Sequence, residues 1–300
     1  MRTRPQPETA RADVLAHIRH SLHRQWRRYR KRHRRCQKQF SEEAVHDSRV
    51  ETRRLLATLE LLRAFLPEKD LKKARRALKD HLDSFDQLRD TQVQLVYIRR
   101  AKRAFPPAEL FEHWLKRREA RFSNQTRGRI RRIKTRRLAS RIRKIEEKIR
   151  RLGKEMSRER AYAGALRGIG KAFDGVAHYC RLVRASETET IHRTRVAFKR
   201  FRYMIEAMFS LLPRVTDEHR RAMHGYQSMM GDIQDVEVLL SALDEFCRVK
   251  RDARQSLRPL REELLRRRRW LIEVYLNASD KLGQFWPPRD LTNRNARRQP

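Results

Sequence analysis

Two short stretches of the chain concentrate groups that can grip an oxyanion. One carries His46, Arg49 and Arg53, the other His192, Arg195 and Lys199, each at the spacing i, i+3 and i+7. Arginine presents a planar fork of donors that matches two oxygens of a phosphate, lysine adds a point charge, and histidine adds a donor that a bound anion holds protonated. On a helix this spacing lines the donors along about 10 Å of one face, a geometry suited to a linear anion with repeated oxygens. Arg202 extends the second stripe and Tyr203 stands on it, whereas the first stretch has Leu56 and Ala57 at those places. Arg54 and Arg200, identical in the two stretches, fall about 80° off the histidines and rank second as candidate ligands. Nothing in the array reads a base: base edges call for Asn, Gln and Arg, and single strands call for aromatics between the cations.

The elements that must hold these groups repeat with them. Glu43, His46, Arg49, Val50 and Arg54 recur as Glu189, His192, Arg195, Val196 and Arg200 at an offset of 146 residues, and Leu66-Pro67 recurs as Leu212-Pro213. At an offset of 145, Arg76-Ala77 matches Arg221-Ala222, and Asp90, Val93 and Leu95 match Asp235, Val238 and Leu240. Shared spacing over about fifty residues argues for a duplicated helical unit. The halves run about 12–158 and 159–280, after a flexible N-terminus at 1–11 and before a tail at 281–300 that is expected to be disordered.

Apolar residues Val14, Leu15, Ile18, Leu22, Trp26, Tyr29 and Cys36 recur at three- and four-residue steps, which predicts a helix over about 12–40. Ser41 with Glu42 and Glu43 predicts the N-terminus of the next, to Leu66, and Pro67 stops it. Further helices are expected over 68–105 and 108–156, separated by Pro106-Pro107, and then over 161–183, 217–249 and 252–280. Between them Ser186 and Glu189 predict a capping box for a helix that runs to Leu212. With 9 Gly and 10 Pro in 300 residues and no long alternating β-branched run, the fold class is all-α: two pseudo-twofold-related helical bundles in one compact domain.

Composition says what kind of partner such a chain wants. Lys and Arg number 75 against 37 Asp and Glu, a net charge of +38 that exceeds what solubility requires and calls for a polyanion. Residues 121–160 are the most basic block, with 17 Lys/Arg against 4 Glu. No secretory signal and no apolar run of roughly 20 residues is visible, so the expected place is the cytoplasm, without a membrane partner. Cys36, Cys180 and Cys247 lie too far apart for a clustered thiolate site and read as reduced thiols.

His46-Asp-Ser-Arg-Val-Glu-Thr-Arg-Arg and His192-Arg-Thr-Arg-Val-Ala-Phe-Lys-Arg, followed by Leu88-Arg89-Asp90 and Gly231-Asp232-Ile233-Gln234-Asp235, resemble the CHAD family, the conserved histidine α-helical domain. The resemblance covers roughly 12–280. It implies non-catalytic binding of long-chain inorganic polyphosphate in a basic groove or pore, and association with polyphosphate granules in bacteria. The residues carried over are His46, Arg49, Arg53, Arg54, His192, Arg195, Lys199, Arg200 and Arg202. The CYTH-type triphosphate-hydrolysing domain that family members often carry would bring a Glu-x-Glu-x-Lys strand, which the chain does not show. Two departures favour the second half: Asp86 stands where that half has Gly231, and Leu56 where it has Arg202.

Alternatives remain open at this point. A charge of +38 also attracts DNA and RNA without sequence preference, so a nucleic-acid-binding protein is the first rival. A metal-dependent enzyme acting on phosphate chains is the second, although no paired carboxylates, nucleophile with base or Gly-rich phosphate loop stands out, and no cofactor or metal is expected. Asp90 and Asp235 read as groups that orient a cation, and His17, His20 and His23 as phosphate- or solvent-facing rather than a metal clasp.

Overall fold

Apolar stripes at helical spacing need partners, and in this chain they find them in one another. The computed structural model describes residues 13–133 and 135–286; the expectations for 1–11 and for 287–300 lie outside the described residues. Among the described residues eleven α-helices follow in order: α1 (Val14–Lys38), α2 (Glu42–Leu61), α3 (Glu68–Asp83), α4 (Asp86–Ala101), α5 (Ala108–Arg132), α6 (Thr135–Glu155), α7 (Arg158–Arg181), α8 (Thr188–Met208), α9 (Asp217–Val249), α10 (Ala253–Ser256) and α11 (Arg258–Asn277). No strand occurs among the described residues, and the fold is an all-α domain.

Helix α1 packs on α2, and α7 packs on α8. The two pairs meet where α2 lies along α8, and α9 closes against α8 and α4. One core cluster runs through all of them, from Leu15, Leu22 and Tyr29 on α1 to Phe198, Phe201 and Met204 on α8 and Met230 on α9. Close approach is needed where α7 crosses the end of α2. A side chain at Gly164 would place its Cβ 2.8 Å from the Phe65 ring.

The stops read from the sequence are present, with differences that have local causes. Ser41 caps α2 by accepting from the Ala44 amide at 3.2 Å, and 3₁₀ turns at Leu62–Ala64 and Phe209–Leu211 finish the first and second His/Arg helices before their prolines. The Ser186–Glu189 capping box does not form. Helix α8 starts after Glu187, and Thr190 holds the turn by donating to the Glu187 carbonyl at 2.6 Å and accepting from the Arg184 amide at 3.0 Å.

The expected 68–105 helix breaks at Ser84-Phe85, where the Ser84 hydroxyl donates to the His81 carbonyl and Phe85 turns into a small separate core with Cys36, Leu88 and Phe122. At the matching offset α9 runs unbroken. The expected 108–156 helix also divides, into α5 and α6, after Ile133 leaves helical geometry with ψ 108°. Residues 281–286 depart from the disordered tail expected there. A 3₁₀ turn over Ser279–Gln284 delivers Phe285 and Trp286 into the core, where Phe285 meets Phe198 and Tyr226 and Trp286 meets Phe201.

Candidate cationic cleft

Packing of α2 along α8 brings Arg49 and Arg53 of the first stripe beside Arg195 and Lys199 of the second, a cationic cluster that makes the candidate cleft, with α4 and α9 packed next to it. Arg49, nearly buried, donates to Asp86 Oδ1 at 2.9 Å and to the Leu82 carbonyl at 3.5 Å, so its charge is matched by the first-turn carboxylate of α4. One turn along, Arg53 has no ion-pair partner among the described residues, and its Nε is buried without a hydrogen bond. Burial and the neighbouring Arg49 push its pKa down to about 10. Lys199 faces both of them from α8. Burial first, then the charges of Arg53, Arg195 and Arg49, push its pKa down to about 6.

Arg195 completes the group. Its Nε is also buried without a partner, and it lies against Gly231, where a Cβ would stand 3.6 Å from that Nε. The departure noted in the sequence thus has a physical meaning. Asp86 occupies the matching place in the first half and neutralises Arg49, whereas Gly231 offers Arg195 no carboxylate. Three of the four clustered basic groups, Arg53, Arg195 and Lys199, have no ion-pair partner among the described residues.

Asp90 and Asp235 stand on the α4 and α9 walls, open to solvent yet crowded by protein. Burial raises both carboxyl pKa values, Asp86 adds to the rise at Asp90, and Arg195 opposes it at Asp235. Asp235 also lines an adjoining groove of about 790 Å³, whose walls include Val93, Tyr97, Phe105 and Leu239. His192 Nδ1 lies 2.6 Å from Gln234 Oε1 on α9, which fixes the imidazole at the cleft's rim. His46 is exposed on the first turns of α2.

The remaining candidates point elsewhere. Arg54 pairs with Glu51 at 2.7 Å and lines a different cavity. Arg200 reaches the nearly buried Glu60, which also holds Arg63 and Arg75 and so ties α2, α3 and α8 together. Arg202 is held by Gln227 and Glu206 and stacks on Tyr203 with its guanidinium carbon 4.7 Å from the ring centroid. His17, His20 and His23 diverge, His17 to the Ala207 carbonyl and His23 to Glu146, and no cluster of three metal-ligating side chains occurs among the described residues. The contact of Gln234 with His192 and the pairing of Asp86 with Arg49 are not visible in the sequence. Both residues lay within segments already singled out, but their contacts join helices distant in sequence.

Among the described residues the domain is all-α, and its cluster of guanidinium and ammonium groups exceeds their carboxylate partners; together these define the class. The chain belongs to the CHAD domain family, whose profile matches residues 18–244. It is also similar to the crystal structure of the CHAD domain from the plant Ricinus communis, with a TM-score of 0.62 at 17% identity, over 94% of this chain and 90% of that chain. At that identity the likeness concerns the fold alone. No curated protein matches the chain. Among the described residues no helix is long and apolar enough to cross a membrane.

Proposed function

We propose that the chain binds long-chain inorganic polyphosphate in the cleft between α2 and α8, without catalysing its turnover. The observation that carries this reading is the convergence of Arg53, Arg195 and Lys199, two with a buried Nε that lacks an acceptor and the third with its charge strongly disfavoured. Uncompensated buried cations are costly unless an anion accepts from them. A polyphosphate offers repeated oxygens to all three, releases its own counterions on docking, and agrees with membership of the CHAD family. Arg49 and His192 serve at the edges, and His46 stands at the entrance. Asp90 and Asp235 keep the chain on the α2 and α8 side by repulsion. Recruitment to polyphosphate granules in the cytoplasm follows from such binding.

Replacing Arg195 and Lys199 together by Ala tests the assignment. At roughly 1.5–3 kcal/mol for each charged hydrogen bond, polyphosphate affinity should fall by about a hundredfold or more. The unfolding midpoint should stay level or rise, because the ligand-free cleft loses charge repulsion. An unchanged affinity in the folded double variant would show that the cleft is not the binding site.

A further inference from the structure

The outward face of α1 carries a second cationic array that the cleft does not use. At 100° per residue, Arg24, Arg27, Arg28, Lys31, Arg34 and Lys38 fall within an arc of about 120° and span about 21 Å of helix. All six are exposed. None of them makes an ion pair among the described residues, whereas Arg32 and Arg35, on the same helix, are matched by Asp47 and Glu43. The opposite arc, with Leu22, Trp26, Tyr29 and Cys36, is buried. Beside the array, His23 meets Glu146 of α6 at 3.2 Å, and α6 turns its exposed, unpaired Arg143 and Lys144 outward. On the other flank Arg24 and Arg28 line a cavity of about 270 Å³ with Arg54 and Arg220.

We propose that this face of α1 binds a nucleic-acid duplex through its phosphates, separately from the cleft. The composition of the arc selects the partner. Its aromatics are buried, so a single strand finds no ring on which to stack. It holds no Asn or Gln to read adenine edges, and its evenly spaced arginines and lysines match the repeat of phosphates. No apolar rim accompanies the cations, so the face lacks what an interfacial helix inserts into a bilayer. A straight, convex row also suits a stiff polyanion better than a flexible one. The duplex presents its charges already aligned, whereas a free chain must lose conformational freedom to follow the row.

The test uses the full chain and a 25-base-pair DNA duplex of mixed sequence, followed by fluorescence anisotropy over a range of salt. R27E/K31E/R34E should lower duplex affinity tenfold or more and reduce the salt slope by about 2.7, at 0.9 for each phosphate contact. Polyphosphate affinity should change less than threefold. K250E/R251E/R254E, which removes the same charge from another exposed site, should lower duplex affinity less than threefold. Should the reversal disturb folding, R27Q/K31Q/R34Q should give the same order with a smaller loss. Equal losses in the two reversal variants would reduce the effect to net charge and overturn the proposal. So would a single strand that binds as tightly as the duplex, or phosphatidylserine vesicles that bind more tightly and are released by the α1 variant.

Discussion

Lys199 is the side chain on which the cleft's chemistry turns. With its pKa near 6 in the free protein, most of its charge is absent at neutral pH, and a bound phosphate should restore it. Binding must then take up a proton, and affinity must fall as pH rises above about 6 toward the ordinary lysine range. Other titratable groups facing Lys199 are Arg49 and Arg53 from α2, Arg195 from its own helix, Asp86 from α4 and Asp235 from α9. Calorimetry at pH 8 in buffers of different ionisation enthalpy should detect close to one proton taken up per site. Lys199→Met should abolish most of that uptake, and a full uptake in this variant would place the proton elsewhere. The ligand-free protein carries the opposite sign. The folded pKa lies below the unfolded one, so the penalty for burying the ammonium is full below about pH 6 and fades toward pH 10. Lys199→Met should therefore stabilise the free protein more at pH 6 than at pH 9.5.

Asp86 and Gly231 offer a second comparison at this scale. Gly231→Asp would give Arg195 the carboxylate that Arg49 already has, and polyphosphate affinity should fall about tenfold, the value of one charged hydrogen bond. Asp86→Asn should free Arg49 and raise affinity by a comparable factor. Titration of both variants checks the pair, and equal affinities would show that neither arginine meets the ligand. The stripe of His192, Arg195 and Lys199 was legible in the sequence because one helix fixes its geometry. The fates of Arg54, Arg200 and Arg202 were not, because Glu60 and Gln227 reach the latter two from other elements. Even the identity of Arg54 and Arg200 misleads, since one pairs within its own helix and the other with Glu60.

Elements divide along the same line. Pro67, Pro106, Pro107 and Pro213 marked their boundaries because proline acts locally. Ser84-Phe85 gave no such signal, since the break there depends on a hydrophobic pocket formed by Cys36, Leu88 and Phe122. That break starts α4 at Asp86 and so delivers the carboxylate to Arg49. Just before it sits a buried cluster that sequence patterning did not reveal. Tyr29 Oη lies 2.8 Å from His81 Nδ1, and His33 meets the His81 ring edge-on at a centroid distance of 4.9 Å. Burial lowers the pKa of His33 to about 4 and that of His81 to about 3. Both folded values lie below the unfolded 6.5, so the unfolded chain binds more protons between them and stability falls as pH drops from about 6.5 toward 3. Thermal unfolding should show this acid weakening in the native protein. His33→Leu should flatten it, and an unchanged acid profile would mean that other groups set it.

On the scale of the whole molecule, the charge of +38 separates into populations with different work. Part is internal, as in the Glu60 hub; part is the small unmatched group in the cleft; part is the long exposed row on α1. Total charge alone gives attraction without selection, whereas a compact group of donors at fixed spacing recognises length and shape. The all-α architecture and the repeated stripes could be read before any coordinates. The cleft itself arises only when α2 lies along α8 and α9 closes beside them, contacts that span more than a hundred residues of sequence. The most direct measurement of the central claim is a titration with polyphosphates of defined length at fixed salt. Affinity per chain should climb steeply until the phosphates span Arg53, Lys199 and Arg195 and then level off, with the steep part lost in Arg195→Ala/Lys199→Ala. An affinity that keeps rising in proportion to length, and is indifferent to the double variant, would contradict it.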